Sequence, residues 1–243
     1  MKTACLVATV LVAVCVADAT AGLVVLVGDT GDGTVSVDGG AGSLDLPGIR
    51  CGTGGNDSRG VASIFFFALP ALSPGSTIIG AELEVGYLGI AHQSPEFNVD
   101  AFGIDARPNA IIEASDYYDG IAALSPDTLL QTAIIRPSTT PGIRSIENAS
   151  LLDFVTTLYS ADGTPVSAFA TFRFNPDKDL PVNSFPLRGY TLATAENANA
   201  SYRPQLSLTT ADAPVPEPST LVLFAGLGVM GLAMAWQRKR QRK

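Results

Sequence analysis

Histidine occurs once in this chain, at His92, and cysteine three times, with only Cys51 beyond the first twenty residues. A zinc site needs several His or Cys ligands and cannot be assembled from one of each. An internal disulfide needs two cysteines, so the single thiol outside the leader reads as a small buried apolar residue. A Ser-His-Asp site would have to use His92, which lies in the polar stretch Ala91-His92-Gln93-Ser94-Pro95, and no Gly-x-Ser-x-Gly elbow is present to hold a nucleophile. Basic side chains are scarce between residues 23 and 212, 9 against 21 acidic ones, a net of −12. Such a body repels nucleic acid and anionic headgroups. The one tryptophan is Trp236, so the body has no indole platform on which a pyranose ring could stack.

The apolar runs are concentrated at the two ends. Near the C-terminus, Pro216, Glu217 and Pro218 are followed by an apolar run over 221–236, opening on Leu221 and closing on Trp236. As a helix, about 16 residues span roughly 24 Å at about 1.5 Å each. That is workable for a hydrocarbon core of ~30 Å when basic flanks snorkel. Five of the last six residues are Lys or Arg, Arg238, Lys239 and Arg240 first among them. This cluster predicts a cytoplasmic C-terminus. The ordered trio of Pro-Glu-Pro, short Gly-containing apolar helix and basic cluster resembles the PEP-CTERM sorting signal of bacteria. The resemblance implies recognition by an exosortase, a membrane-embedded protease with a cysteine nucleophile, after a transient stay in the inner membrane. An ordinary C-terminal anchor is the alternative.

At the other end Lys2 supplies a minimal positive charge, 6–16 is apolar, and Ala17-Asp18-Ala19 or Ala19-Thr20-Ala21 offers a small-x-small cleavage site for signal peptidase. The reading is a signal peptide over 1–21, a single domain over 22–211, and a linker with sorting segment over 212–243. The linker Ala211-Asp212-Ala213-Pro214-Val215-Pro216 is short and stiff, holding the tripeptide clear of the fold.

Within the body, Gly, Pro, Ser, Thr, Asn and Asp cut the chain into short pieces, which predicts β structure. The stretch 61–69 reads as a central strand, because Phe65-Phe66-Phe67 makes both faces apolar. Pro70 and the Ser73-Pro74-Gly75 turn end it. Ala81, Leu83, Val85 and Tyr87 alternate with Glu82 and Glu84, the period of a half-buried strand. Further strands are expected at 98–104, 129–135, 166–174 and 205–209. Phe169, Phe172 and Phe174 break strict alternation, which suggests a bulge. One segment has helical spacing: Leu151, Leu152, Val155, Leu158 and Tyr159, with Ser150 and Asp153 as a capping box. The expected fold is all-β, an antiparallel two-sheet sandwich of jelly-roll type with one short helix near 151–159, flanked by a signal helix and a transmembrane helix.

Ala62-Ser63-Ile64-Phe65-Phe66-Phe67-Ala68-Leu69-Pro70, then Gly75-Ser76-Thr77-Ile78-Ile79-Gly80-Ala81-Glu82-Leu83, is similar to the core of DNRLRE-type carbohydrate-binding β-sandwich modules. Tyr202-Arg203-Pro204-Gln205-Leu206-Ser207-Leu208 resembles their closing strand. The resemblance implies the sandwich fold and, more loosely, a glycan-binding or scaffold role at the surface, with exopolysaccharide as partner.

Asp29-Thr30-Gly31 spells the aspartic-protease triplet, but that chemistry needs two carboxylates sharing a proton. There is no second triplet, and Asp32 follows where a small residue is needed, so the segment reads as a turn. Asp29, Asp32 and Asp38, in one Gly-rich stretch, are candidate calcium ligands, although their spacing is not that of an EF-hand and convergence on one ion is not expected. No other cofactor is indicated. Tyr117 and Tyr118, in Asp116-Tyr117-Tyr118-Asp119-Gly120, are the best aromatic candidates for ligand contact. The expected function is that of an exported, non-catalytic surface or matrix protein. Carbohydrate binding is the alternative.

Overall fold

The computed structural model describes residues 21–36, 41–42, 48–54, 59–117, 125–178, 180 and 188–212. The expected signal helix at 1–21, save its last residue, and the expected span at 221–236 lie outside them. Among the described residues no helix is long and apolar enough to cross a membrane.

Twelve strands carry the fold: β1 Ala21–Val27, β2 Gly33–Ser36, β3 Ala41–Gly42, β4 Gly48–Gly54, β5 Arg59–Ala68, β6 Thr77–His92, β7 Val99–Arg107, β8 Thr128–Ile135, β9 Gly142–Ile146, β10 Phe169–Pro176, β11 Arg188–Ala193 and β12 Gln205–Ala211. Every named strand pair is antiparallel. The expected two separate sheets are not what forms. One hydrogen-bonded path runs β1-β12-β6-β11-β4-β5-β10-β7-β8. The joint is β6. Its first part pairs with β12 and its last part with β11, while β9 takes the other edge, so one 16-residue strand carries the ladder around the corner.

The sheet curls around one large apolar cluster. β5 and β6 are consecutive but unpaired, and both face that cluster, with Phe65 and Phe67 from one and Ala81, Leu83, Val85 and Tyr87 from the other. Phe66 points the opposite way, into a second cluster with Val35, Ala62 and Ile64, and all three phenylalanines are fully buried. Neighbouring strand residues point to opposite sides, so a run of three rings requires two cores.

Helix α1, Ala149–Thr157, buries Leu151, Phe154 and Val155. Its cap is Asn148, not the expected Ser150: the Asn148 side chain accepts from the Leu151 N–H at 2.9 Å, and its amide donates to the Leu130 carbonyl at 2.9 Å. Gly103 lets the helix approach β7, since a Cβ there would lie 2.7 Å from the Phe154 ring. The bulge expected from the phenylalanine spacing exists, but β7 carries it. Thr171 pairs with Asp105 and Phe172 with Gly103, leaving Ile104 unpaired, whereas β10 runs in regular register along β5. Phe169 packs on the second cluster and Phe172 and Phe174 on the first, so the uneven spacing reflects two buried faces.

Candidate functional site

The chain ends of the body meet. β1 and β12 pair from Ala21 opposite Ala211 to Val27 opposite Gln205. Ser76 Oγ donates to the Asp212 carboxylate at 2.6 Å, which ties down the last described residue. Ala21 and Asp212 therefore lie at the same end of a two-stranded ladder. Pro216, Glu217, Pro218, Leu221, Trp236, Arg238, Lys239 and Arg240 lie outside the described residues.

The densest polar chemistry in the body lies on the second face of β10. Thr171, Arg173 and Asn175 are as buried there as Phe172 and Phe174 are on the first. Arg173 bonds Asp127 at 2.8 Å, Ser125 Oγ at 2.8 Å and the Asp116 carbonyl at 3.0 Å. Its guanidinium carbon stands 4.9 Å from the Phe102 ring centroid, a cation–π distance. Arg107 holds the Asp116 carboxylate in a two-pronged grip, one arm at 2.9 Å, and Asp105 at 2.8 Å. Burial alone would lower the Arg107 pKa, but the hydrogen bonds and charges of Asp116 and Asp105 outweigh it and hold it above the ordinary value. Two arginines thus tie the segment after β7 down across the sheet. Sequence reading did not single them out, although Arg173 amid phenylalanines was a usable signal: a cation inside a two-faced apolar strand needs buried partners.

Tyr117 belongs to this tied segment. A Cβ on Gly60 would clash with its hydroxyl, and the ring packs on the second cluster. Tyr118 lies outside the described residues, as does Asp38. Asp32 is fully buried. Its carboxylate accepts from the Phe66 N–H at 3.0 Å and the Ala195 N–H at 3.3 Å. Burial raises its pKa well above the ordinary value; those two N–H groups pull it down, and Glu196 and Asp29 push it further up. Asp29 accepts from the Gly31 N–H at 2.9 Å, closing the turn. Each of the two described aspartates is thus bound to main-chain donors. Cys51 is fully buried, with its thiol donating to the Phe174 carbonyl at 3.3 Å. Burial drives its pKa upward, which removes the thiolate that reactivity requires. His92, in the polar stretch 91–95, is the last residue of β6, paired through its backbone with Arg188.

In comparison with known families, residues 214–240 fit the model of the PEP-CTERM protein-sorting motif. The match implies an exported protein destined for the cell surface and processed by exosortase. No curated protein matches the chain.

Proposed function

We propose that the chain is a structural or adhesive component of the bacterial cell surface or extracellular matrix, exported behind a signal peptide and released from the inner membrane by exosortase. The observation that carries this reading is the sorting motif at 214–240, which follows a body whose two ends are zipped together. A folded body closed on itself needs no further contact with either terminal segment once both are cut. The net charge of the body keeps it off anionic headgroups after release.

The alternative, binding of exopolysaccharide, rests on the likeness of 62–83 and 202–208 to carbohydrate-binding modules. Among the described residues Phe65, Phe66, Phe67, Phe172, Phe174 and Tyr190 are fully buried, and Tyr117, Tyr159, Phe169 and Tyr202 are half-buried. That favours a structural role, because sugar platforms present a flat ring to solvent.

Processing is the test. Glu217→Ala and Pro218→Ala should leave a larger, membrane-retained species on a gel, while the unaltered chain appears shortened in the medium or surface fraction. Equal release of all three would replace the sorting reading with an ordinary anchor. A glycan array probed with the released protein separates structural from carbohydrate-binding roles: saturable binding to any polysaccharide would favour the second.

A further inference from the structure

Two Asn-x-Asp triplets, Asn98-Val99-Asp100 and Asn175-Pro176-Asp177, lie side by side where β7 begins and β10 ends. The antiparallel register sets Asp100 opposite Asn175 and Val99 opposite Pro176. The Asp177 N–H donates to the Asn98 carbonyl at 2.9 Å, which extends the ladder by one residue. Val99 and Ala101 face the large core, so the four polar side chains share the other face as two cross-strand Asn–Asp pairs.

The two pairs have the same composition and different bonding. Asn98 and Asp177 satisfy each other. The Asn98 amide donates to one Asp177 oxygen at 2.7 Å, and the Asn98 N–H to the other at 3.0 Å. Asn175 and Asp100 do not. The Asn175 amide nitrogen donates to the Pro176 carbonyl at 3.0 Å, which fixes which end of the side chain is oxygen. That oxygen is buried and has no partner, in a residue only 2 % exposed. Asp100, 6 % exposed, has one oxygen on the Ala133 N–H at 2.7 Å. No ion pair among the described residues reaches Asp100 or Asp177. Arg173, two residues along the same face, is held by Asp127, Ser125 and the Asp116 carbonyl. The Asn175 amide oxygen is thus the one buried acceptor of the four side chains left without a donor, directly opposite Asp100 across the ladder. A buried acceptor without a partner bears its full desolvation penalty, and a buried charge bears a larger one.

We propose that Asp100, Asn175 and Asp177 bind a divalent cation, with calcium the ion their all-oxygen donor set suits. Calcium takes carboxylate and amide oxygens and fills its remaining positions with water. Asp177 and Asn98 are only half-buried, so ion and water reach the site from the end of the ladder. The site differs from the Gly-rich stretch of Asp29 and Asp32 in its buried amide oxygen without a donor, and it does not depend on how the sorting segment is processed.

The test is calorimetric titration of calcium chloride into the full chain, held in non-ionic detergent at pH 7, alongside thermal melting with calcium or chelator. The expected result is one site with Kd on the order of 10⁻⁴–10⁻³ M, and a higher melting temperature with calcium. Asp100→Asn should weaken binding by at least the ~10–100-fold that loss of an outer-shell partner costs a metal site. Asn175→Asp should tighten it and make folding calcium-dependent, so a failure of the first variant to fold leaves the second to decide. Asp162→Asn, an exposed loop control, should change nothing. No binding heat and no melting shift at 10 mM calcium (a probe concentration about tenfold above the upper Kd) would overturn the proposal. So would stabilisation by acid alone, lost in Asp100→Asn, since a proton shared by Asp100 and Asn175 would then fill the gap.

Discussion

The two faces of β10 are equally dry and are built on opposite principles. On one, Phe172 meets Phe67 with ring centroids 5.5 Å apart and Phe154 at 5.4 Å, and Phe174 meets Phe65 at 5.3 Å, all edge to face. On the other, Arg173 spans Asp127, Ser125 and Phe102. Burial alone does not say how a face is held. The apolar face gains from every ring removed from water. The polar face gains only when each buried group finds its partner, and it therefore fixes which loop lies on top.

Cutting each face once is the strongest test of that contrast. Phe172→Ala should cost ~3–5 kcal/mol by urea unfolding, the range for deleting a buried ring. Arg173→Ala should cost a similar ~3–5 kcal/mol, because it strands Asp127 and the Asp116 carbonyl. The faces should part company on repair. Arg173→Met combined with Asp127→Leu should restore most of the loss, as apolar replacements of buried pairs commonly do, whereas no polar residue at 172 should rescue the first face. A loss under 1 kcal/mol for Arg173→Ala would mean that the network is not holding the segment after β7.

The apolar face was the legible one. The triple phenylalanine at 65–67 forced two buried sides, and the alternation from Ala81 to Tyr87 assigned β6 correctly to a half-buried strand. The strands Gly33–Ser36, Gly48–Gly54, Gly142–Ile146 and Arg188–Ala193 escaped the reading. Each opens on glycine or on Arg-Gly and is too short or too mixed to show a period of two; their pairing with β5 and β6 supplies what propensity does not. The path around β6 was illegible for a different reason. Strand neighbours are a property of the whole chain, and Leu83 gives no local sign that Leu206 and Ile146 flank it on opposite edges. The polar network was hidden because Arg173 and Asp116 are 57 residues apart, and the Asp100–Asn175 gap because a satisfied and an unsatisfied Asn-x-Asp triplet read alike.

Two smaller changes probe where the apolar face meets its helix. Gly103→Ala drives a methyl against the Phe154 ring and should cost ~1–3 kcal/mol, the usual penalty of overpacking. Pairing it with Phe154→Leu should recover part of that if the clash is the cause. Asn148→Ala removes both the cap on the Leu151 N–H and the bond to the Leu130 carbonyl, and should cost ~1 kcal/mol, in the range of a lost cap. Retention of that stability in Asn148→Asp, which keeps the capping oxygen, would assign the loss to the cap; failure to retain it would assign it to Leu130.

The finest test reads a slope and concerns Asp32, which accepts the N–H of Phe66 at the edge of the second core. Its folded pKa lies above the unfolded value, with burial the main cause and Glu196 and Asp29 adding to it. The folded chain therefore keeps the proton to higher pH than the unfolded one does. By linkage, that contribution is fully present below the unfolded value of about 4 and is lost as pH rises through the folded one. Asp100 is raised in the same direction, so the unaltered chain should lose stability above pH 4 from both groups. Asp32→Asn carries no titration and removes one share. It also weakens the bond to the Ala195 N–H, because its amide presents a donor to a donor. The variant should be less stable than the parent at pH 4, and the gap in urea midpoint should narrow as pH rises toward 8. A gap that stays constant would show that Asp32 does not titrate across this window. A gap that widens would show that it is held ionised, and the second face would then contain a buried charge whose counter-ion lies among residues other than those named here.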